Sequence, residues 1–278
     1  MKDVSIIIVN YNTQKMTAEC IESVKSLTNG ISYEIILVDN NSQDGSREFF
    51  ESYEGIRYIY NNSNEGFGRA NNLGLTIAEG RNILFLNSDT ILINNAVKIL
   101  SDYIDRNIDV GACGGNLYYE DMKPNVSYFL SFPNLLSELD VLFLYKPSSW
   151  LGIHHETFNS GTTPKEVAYI SGADLMVKKD ILDTCGSFDP DFFMYFEETE
   201  LCHRIKKVGY KIMSIPDAKI IHLTGRSDKV KRRTPSPMFL SSKFIYIKKT
   251  TRGFTKVCYL FIAYLTCTLY KIKNCFYR

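Results

Sequence analysis

The chain lacks paired cysteines. Its 7 cysteines, Cys20, Cys113, Cys185, Cys202, Cys258, Cys267 and Cys275, contain no C-x-x-C spacing, which excludes a thiolate metal cluster and leaves small buried side chains kept reduced. No charged leader with a cleavage site precedes the first apolar run at residues 4–8, so a cytosolic location is the expectation. Long apolar runs are missing too. Residues 257–270 carry no charge, yet 14 helical residues reach only about 21 Å against a hydrocarbon core of about 30 Å. After Gly66 and Gly68 the third glycine is missing at the right step, where Asn71 stands, and the pair does not follow the first strand, which excludes a dinucleotide fingerprint. The loop Asn10-Tyr11-Asn12-Thr13 has no Gly, Lys or Arg, which argues against a nucleotidyltransferase.

What is present is ordinary in bulk and uneven in distribution. Hydrophobic content of 45% and charged content of 23% describe a globular chain. The net charge of +1 hides a split, because residues 226–278 hold 13 Lys and Arg against the single acid Asp228. The remainder is acid-rich. Basic flanks at Lys256, Lys271 and Lys273 suit the apolar stretch 257–270 to lie in an anionic membrane interface, with packing on the core or on a partner subunit as the alternative. Nucleic-acid binding is disfavoured, because that aromatic and apolar run lies better against lipid than against bases.

Short β-branched runs alternate with helical patterns from residue 4 to about 116, which predicts a doubly wound α/β layer. Strands are expected at 4–9, 34–38, 57–60, 83–86 and 110–114, and a helix at 96–106. Residues 117–165 lose this periodicity and read as an insertion or lid. Order returns at 167–170 and 175–177, with a helix from about 198 to 208 ended by Gly209 and two short strands at 211–215 and 219–221. Residues 226–237 read as a mobile basic loop.

Several junctions carry chemistry. The run Ile83-Leu84-Phe85-Leu86 stops at Asn87-Ser88-Asp89, and the strand at 34–38 stops at Asp39-Asn40-Asn41-Ser42. Two acidic strand ends in one parallel sheet would face one ligand at the rim, such as a nucleotide with its metal. At Phe193-Met194-Tyr195-Phe196-Glu197-Glu198-Thr199-Glu200, aromatic residues precede three acids at a helix start. Capping and dipole stabilisation account for such acids, and so does a desolvated general base. Gly66 and Gly68 suit phosphate binding or a plain turn. His222, after an apolar run, reads by itself as a structural residue.

Taken together these segments resemble the inverting family 2 glycosyltransferases of the GT-A fold, in particular their bacterial rhamnosyltransferase-like branch. The resemblance covers about residues 4–227. It rests on the stretch from Val4 through Asn12, on Ile36 through Ser46, on Asn64 through Asn72 with Gly74, and on Leu86-Asn87-Ser88-Asp89. Farther on it rests on Ser171-Gly172-Ala173, Gly186-Ser187-Phe188-Asp189, Phe193 through Glu198, and Ile220-Ile221-His222.

The resemblance implies a GT-A domain over residues 1–225, with a nucleotide-binding half to 116 and an acceptor and catalytic half from 117. A basic lid loop and membrane-associating helices would follow at 226–278. Asp39 would contact the nucleobase, and Asn10, Tyr11 and Asn12 would close round the nucleoside. Asn64, Gly66, Arg69, Asn72, Asn87 and Ser88 would complete the donor side. Asp89 and His222 would hold Mg²⁺ or Mn²⁺ on the diphosphate, Glu198 would be the general base, and Gly172, Ala173 and Glu197 would face the acceptor. The implied partners are a nucleotide-diphosphate sugar, with thymidine-linked rhamnose as the first guess, and a glycan or lipid-linked acceptor. The implied place is the inner face of the cell membrane, possible as a homo-oligomer. Asn87 stands where many relatives have the first Asp of Asp-x-Asp, Glu198 where Asp is usual, and Asn40 where a second acid is often found. Those departures keep open a catalytically degenerate sugar-nucleotide-binding partner. Arg226, Lys231, Arg232 and Arg233 would add phosphate contacts from the lid.

Overall fold

The computed structural model describes residues 2–150, 156–223 and 236–275, with side chains to residue 269. The basic lid, including Arg226, Lys231, Arg232 and Arg233, lies outside the described residues. The chain runs β1 (Lys2–Asn10), α1 (Gln14–Leu27), β2 (Tyr33–Asp39), α2 (Ser46–Glu51), β3 (Arg57–Tyr60), α3 (Phe67–Leu75) and β4 (Gly80–Asn87). It continues through β5 (Thr90–Leu92), α4 (Ala96–Arg106), β6 (Val110–Tyr118), β7 (Tyr128–Phe129), α5 (Leu135–Leu142) and α6 (Lys146–Trp150). Then come β8 (Lys165–Glu166), β9 (Tyr169–Ile170), β10 (Asp174–Lys178), α7 (Lys179–Cys185), α8 (Glu197–Lys207), β11 (Lys211–His222), α9 (Pro237–Thr250) and α10 (Gly253–Cys275).

The main sheet has the order β3-β2-β1-β4-β10-β6-β11-β5, with β8 on β11. Strands β1 to β4 are parallel, β10 is antiparallel to both β4 and β6, and β11 is parallel to β6. This arrangement gathers the site. The carboxyl ends of β1, β2, β4 and β11 and the amino end of β10 meet on one rim. Asn10 is level with Asp39, and Val9 with Asn87.

Alternation along each strand supplies both faces of the sheet. Ile6, Ile8 and Leu37 pack with Cys20, Ile21 and Val24 of α1 and Val97 and Leu100 of α4. Ile7, Ile36 and Phe85 face Ala70 of α3, Ile181 of α7 and Leu201 and Ile205 of α8. Burial of each such side chain contributes about 1.5–3 kcal/mol, so the two faces carry most of the stability of the sheet. A third, smaller cluster joins Ile247 of α9, Tyr259 and Ala263 of α10 and Leu135 of α5.

Most expected elements are found, with differences that have causes. The strands at 211–215 and 219–221 form one strand whose register shifts between Ile215 and Lys219. Pro216 removes one ladder donor there, yet the chain passes across the irregularity without leaving the sheet. The 117–165 insertion contains two helices, and α5 packs on the C-terminal helices. The expected helix at 257–270 is longer, 23 residues from Gly253 to Cys275. Even so, among the described residues no helix is long and apolar enough to cross a membrane.

Candidate active site

At the centre of the rim, β4 ends at Asn87 and a turn through Ser88 and Asp89 leads into β5. That turn brings Asp89 against the last residue of β11. Asp89 Oδ1 lies 3.2 Å from His222 Nε2, and Asn87 Nδ2 lies 3.4 Å from the same nitrogen. Both side chains are mostly buried, 12% and 13% exposed for Asp89 and His222. A carboxylate oxygen and an imidazole nitrogen at this separation can share one hard divalent ion, with phosphate and water oxygens filling the other positions. Among the described residues no group of three or more His, Cys, Asp or Glu forms a metal cluster. Asp89 and His222 are the two protein ligands these residues would offer to such an ion.

One strand away lies the shelf made by β1 and β2. Asp39 is fully buried; its Oδ1 accepts the Ser42 amide at 2.8 Å and its Oδ2 accepts Asn10 Nδ2 at 3.1 Å. Asn10 Nδ2 also donates to Ser42 Oγ at 3.0 Å, and Asn10 Oδ1 accepts from the Thr13 and Thr17 hydroxyls at 2.8 and 2.9 Å. Thr13 Oγ1 in turn lies 3.1 Å from Ser88 Oγ, which links this shelf to the metal-side turn. The Gln43 amide donates to Asn12 Oδ1 at 2.6 Å, and Asn12 sits in the left-handed region at φ 55°. Tyr11 is 48% exposed, and Asn12 and Gln43 beside it are exposed as well. Thr13 and Ser42 entered the sequence reading only as members of their motifs, and Thr17 not at all; none was expected as a site residue. Their polar character beside the ends of β1 and β2 is the signal they offer.

The loop after β3 is tied down by Asn40. Its Oδ1 accepts from Asn61 Nδ2 at 3.0 Å and the Glu65 amide at 3.2 Å, while its Nδ2 donates to Asn64 Oδ1 at 2.8 Å and Gly66 O at 3.3 Å. An amide can both donate and accept; a carboxylate there could only accept. Gly66 has φ +86°, and a Cβ on it would lie 2.1 Å from Phe193 O. The Phe67 amide donates to that same carbonyl at 2.9 Å. The glycine therefore serves close approach of two backbones, and the first free amide of α3 is used by protein. Arg69 and Asn72 reach to the neighbouring turn instead: Arg69 Nε donates to Pro190 O at 2.8 Å, and Asn72 exchanges two bonds with the Phe188 backbone at 2.7 and 3.1 Å.

The three acids at the start of α8 have three different environments. Glu200 is paired with Arg204 at 2.8 Å, and Arg204 also caps the Gly186 and Ser187 carbonyls. Glu197 is buried with Oε2 lacking a hydrogen-bond partner, and burial, then the neighbouring Glu198, push its carboxyl well above the ordinary range. Glu198 is half-buried, and burial raises it too, partly offset by a 3.2 Å hydrogen bond from the Thr199 hydroxyl. The N-cap residue Phe196 makes no side-chain hydrogen bond, while backbone amides at the helix start hydrogen-bond the Glu198 carboxylate and hold its pKa down, so the helix terminus and burial act on it in opposite directions. A Cβ on Gly172 would lie 3.6 Å from Glu198 Cγ, so the base candidate stands directly over the 171–173 turn. At the other end of that turn the Asn87 backbone amide donates to Ala173 O at 3.0 Å. Asp89, His222, Asn87, Ala173, Gly172 and Glu198 thus form a continuous line along the rim.

This mixed sheet with helices on both faces and ligand-side strand ends gathered on one rim is the GT-A type of α/β fold. Residues 5–186 match the model of Glycosyl transferase family 2, and the chain belongs to that family of glycosyltransferases. It is 24% identical over 278 residues to the rhamnosyltransferase WbbL of Escherichia coli K12, covering 93% of this chain and 99% of the relative. It is 25% identical to the low-salt glycan biosynthesis hexosyltransferase Agl10 of Haloferax volcanii, covering 80% and 67%. The dTDP-rhamnosyl transferase RfbF of Shigella flexneri is 25% identical over 69% of this chain, which spans 60% of that relative. Among solved structures, GalNAc-T7 with UDP, GalNAc and Mn²⁺ superposes with a TM-score of 0.66 at 16% identity, over 88% of this chain and 47% of that one. That likeness bears out the GT-A fold expected from sequence.

Proposed function

We propose that the protein transfers a hexose, of rhamnose type, from a nucleotide-diphosphate donor to a hydroxyl of a lipid-linked or growing surface glycan, with inversion. The observation that carries this reading is the rim line that joins Asp89 and His222 to Glu198 through Asn87, Ala173 and Gly172. A Mg²⁺ or Mn²⁺ ion held by Asp89 and His222 would neutralise the diphosphate leaving group. The Asn10-Tyr11-Asn12 turn would cover the nucleoside, with the exposed Tyr11 ring as the movable part and Asp39 fixing the turn beside the base. Asn64, Gly66, Arg69 and Asn72 would act by holding the 61–66 and 188–193 loops at the donor edge.

Glu198 would take the proton of the acceptor hydroxyl as its oxygen forms the new bond to the anomeric carbon. The bond to the diphosphate breaks on the opposite side in the same displacement. Its half-buried position raises its affinity for a proton, as a base working near neutral pH requires. Glu198 lies against Gly172, where the acceptor would approach, and Glu197, buried behind, would remain neutral. Relatives named as rhamnosyltransferases, among them an N-acetylglucosaminyl-diphospho-decaprenol L-rhamnosyltransferase of Mycobacterium tuberculosis at 24% identity, support a lipid-linked acceptor.

The tail supports work at the inner face of a cell membrane. Along α10, Phe254, Val257, Phe261, Tyr264 and Leu265 are 36–83% exposed at helical spacing, next to exposed Lys248 and Arg252. This face would sit in the headgroup region of an anionic leaflet. Incubation with dTDP-rhamnose, N-acetylglucosaminyl diphospho-polyprenol and Mn²⁺ should release dTDP and give a rhamnosylated lipid. Absence of transfer across a panel of nucleotide sugars that nonetheless bind by thermal shift would favour the degenerate binding partner. Liposomes containing phosphatidylglycerol should sediment the protein, and Phe261→Ser with Tyr264→Ser should leave it in the supernatant.

A further inference from the structure

Helix α9 is packed on the loop that leads into Glu197 and Glu198, by contacts of three kinds. The Phe239 ring lies 5.6 Å from Tyr195 and 5.1 Å from Phe196, and the Tyr246 ring lies 5.4 Å from Phe196. Ser242 Oγ, on a buried side chain, donates to Met194 O at 2.7 Å. Lys249 Nζ reaches Asp189 at 2.7 Å and Asp191 at 2.6 Å.

These contacts fall where the backbone most needs support. Tyr195 and Phe196 are consecutive non-glycine residues at φ 70° and 69°. The left-handed region costs a side-chain-bearing residue about 1–2 kcal/mol, and it persists only where surroundings hold it. Phe196 is the residue before α8, so its torsions set the direction in which the first turn, with Glu198, leaves the loop. The other side of α9 is anchored in turn. Lys243 Nζ meets Glu138 of α5 at 2.5 Å with both side chains nearly buried, and Ile247 packs with Tyr259 and Ala263 of α10.

We infer that Phe239, Ser242 and Tyr246 are positioning residues for transfer, holding Tyr195 and Phe196 in the left-handed conformation that places Glu198 opposite Gly172. The inference rests on Glu198 being the base. Simple core packing would produce a different result: lost stability with an unchanged turnover number.

Full-length Phe239→Leu and Ser242→Ala proteins separate the two, with Phe239→Tyr and Ser242→Thr as conservative counterparts. With dTDP-rhamnose, Mn²⁺ and N-acetylglucosaminyl diphospho-polyprenol, kcat should fall about tenfold to a hundredfold in the first pair while the donor KM changes less than about twofold. The second pair should recover most of kcat. Amide exchange at residues 193–199, which needs no donor, should quicken selectively in the first pair. Unchanged exchange there, or faster exchange with native kcat, would overturn the inference. Full transfer by Glu198→Gln would instead sink the base assignment while leaving the exchange result for α9 standing, so the two failures are distinguishable.

Discussion

The rim is built in two ways. The side proposed for the donor, from β1 to β4, is made by strands that neighbour one another in the sheet, held by consecutive parallel ladders and by short polar links such as Asn10 with Asp39 and Ser42. The side proposed for the acceptor, from Phe192 to Glu198, is a loop with two left-handed residues held from outside by α3 and α9. The first side owes its shape to the sheet itself. The second owes it to elements distant in sequence, Phe67 of α3 and the rings and Ser242 of α9.

Substitutions can break this contrast. Glu198→Gln should lower kcat on the order of 10³-fold with the fold intact by circular dichroism, since it removes the proton acceptor and nothing structural. Asp89→Ala should cost on the order of 10²-fold in kcat and abolish the thermal shift produced by donor with Mn²⁺. Gly66→Ala, which drives a methyl into the Phe193 carbonyl, should destabilise by about 3 kcal/mol in urea unfolding and weaken acceptor-side function with it. Asn40→Asp should cost about 2 kcal/mol, because a carboxylate would face Asn64 Oδ1 and Gly66 O without a proton to give.

The smallest expected effect concerns pH. Glu197 holds its proton more tightly folded than unfolded, so the unfolded chain loses that proton first as pH rises. Its favourable contribution is complete below the ordinary glutamate value and is lost progressively as pH climbs toward the raised folded value. Glu197→Gln should flatten that part of the stability profile in urea titrations at several pH values. A parallel slope in both proteins would show that Glu197 is not the proton holder. For Glu198 the same direction predicts that kcat falls on the acid side at a pH above the usual glutamate range.

The donor side was largely legible in the sequence. Apolar runs ended by Asn-Ser-Asp and by Asp-Asn-Asn-Ser marked the strand ends, and α4 falls at Ala96–Arg106 as the periodicity predicts. The acceptor side was legible only as a cluster of aromatics and acids. Nothing in the local pattern couples Phe196 to Phe239, because ring contacts between remote segments leave no period to read. Gly66 looked equally suited to phosphate or to a turn; its partner, the Phe193 carbonyl, is far away in sequence. The gap expected between strands at 211–215 and 219–221 survives as a register shift between Ile215 and Lys219 within one continuous strand.

The late position of α9 has a consequence for how the protein comes into being. On the ribosome, the sheet and the Asp89–His222 pair emerge before the helix that steadies the glutamate loop. A nascent chain stalled with residue 235 just outside the exit tunnel should bind sugar nucleotide yet be idle, and transfer should begin only once α9 has emerged as well. A stalled-chain assay that found turnover before that point would show the loop can hold its shape unaided.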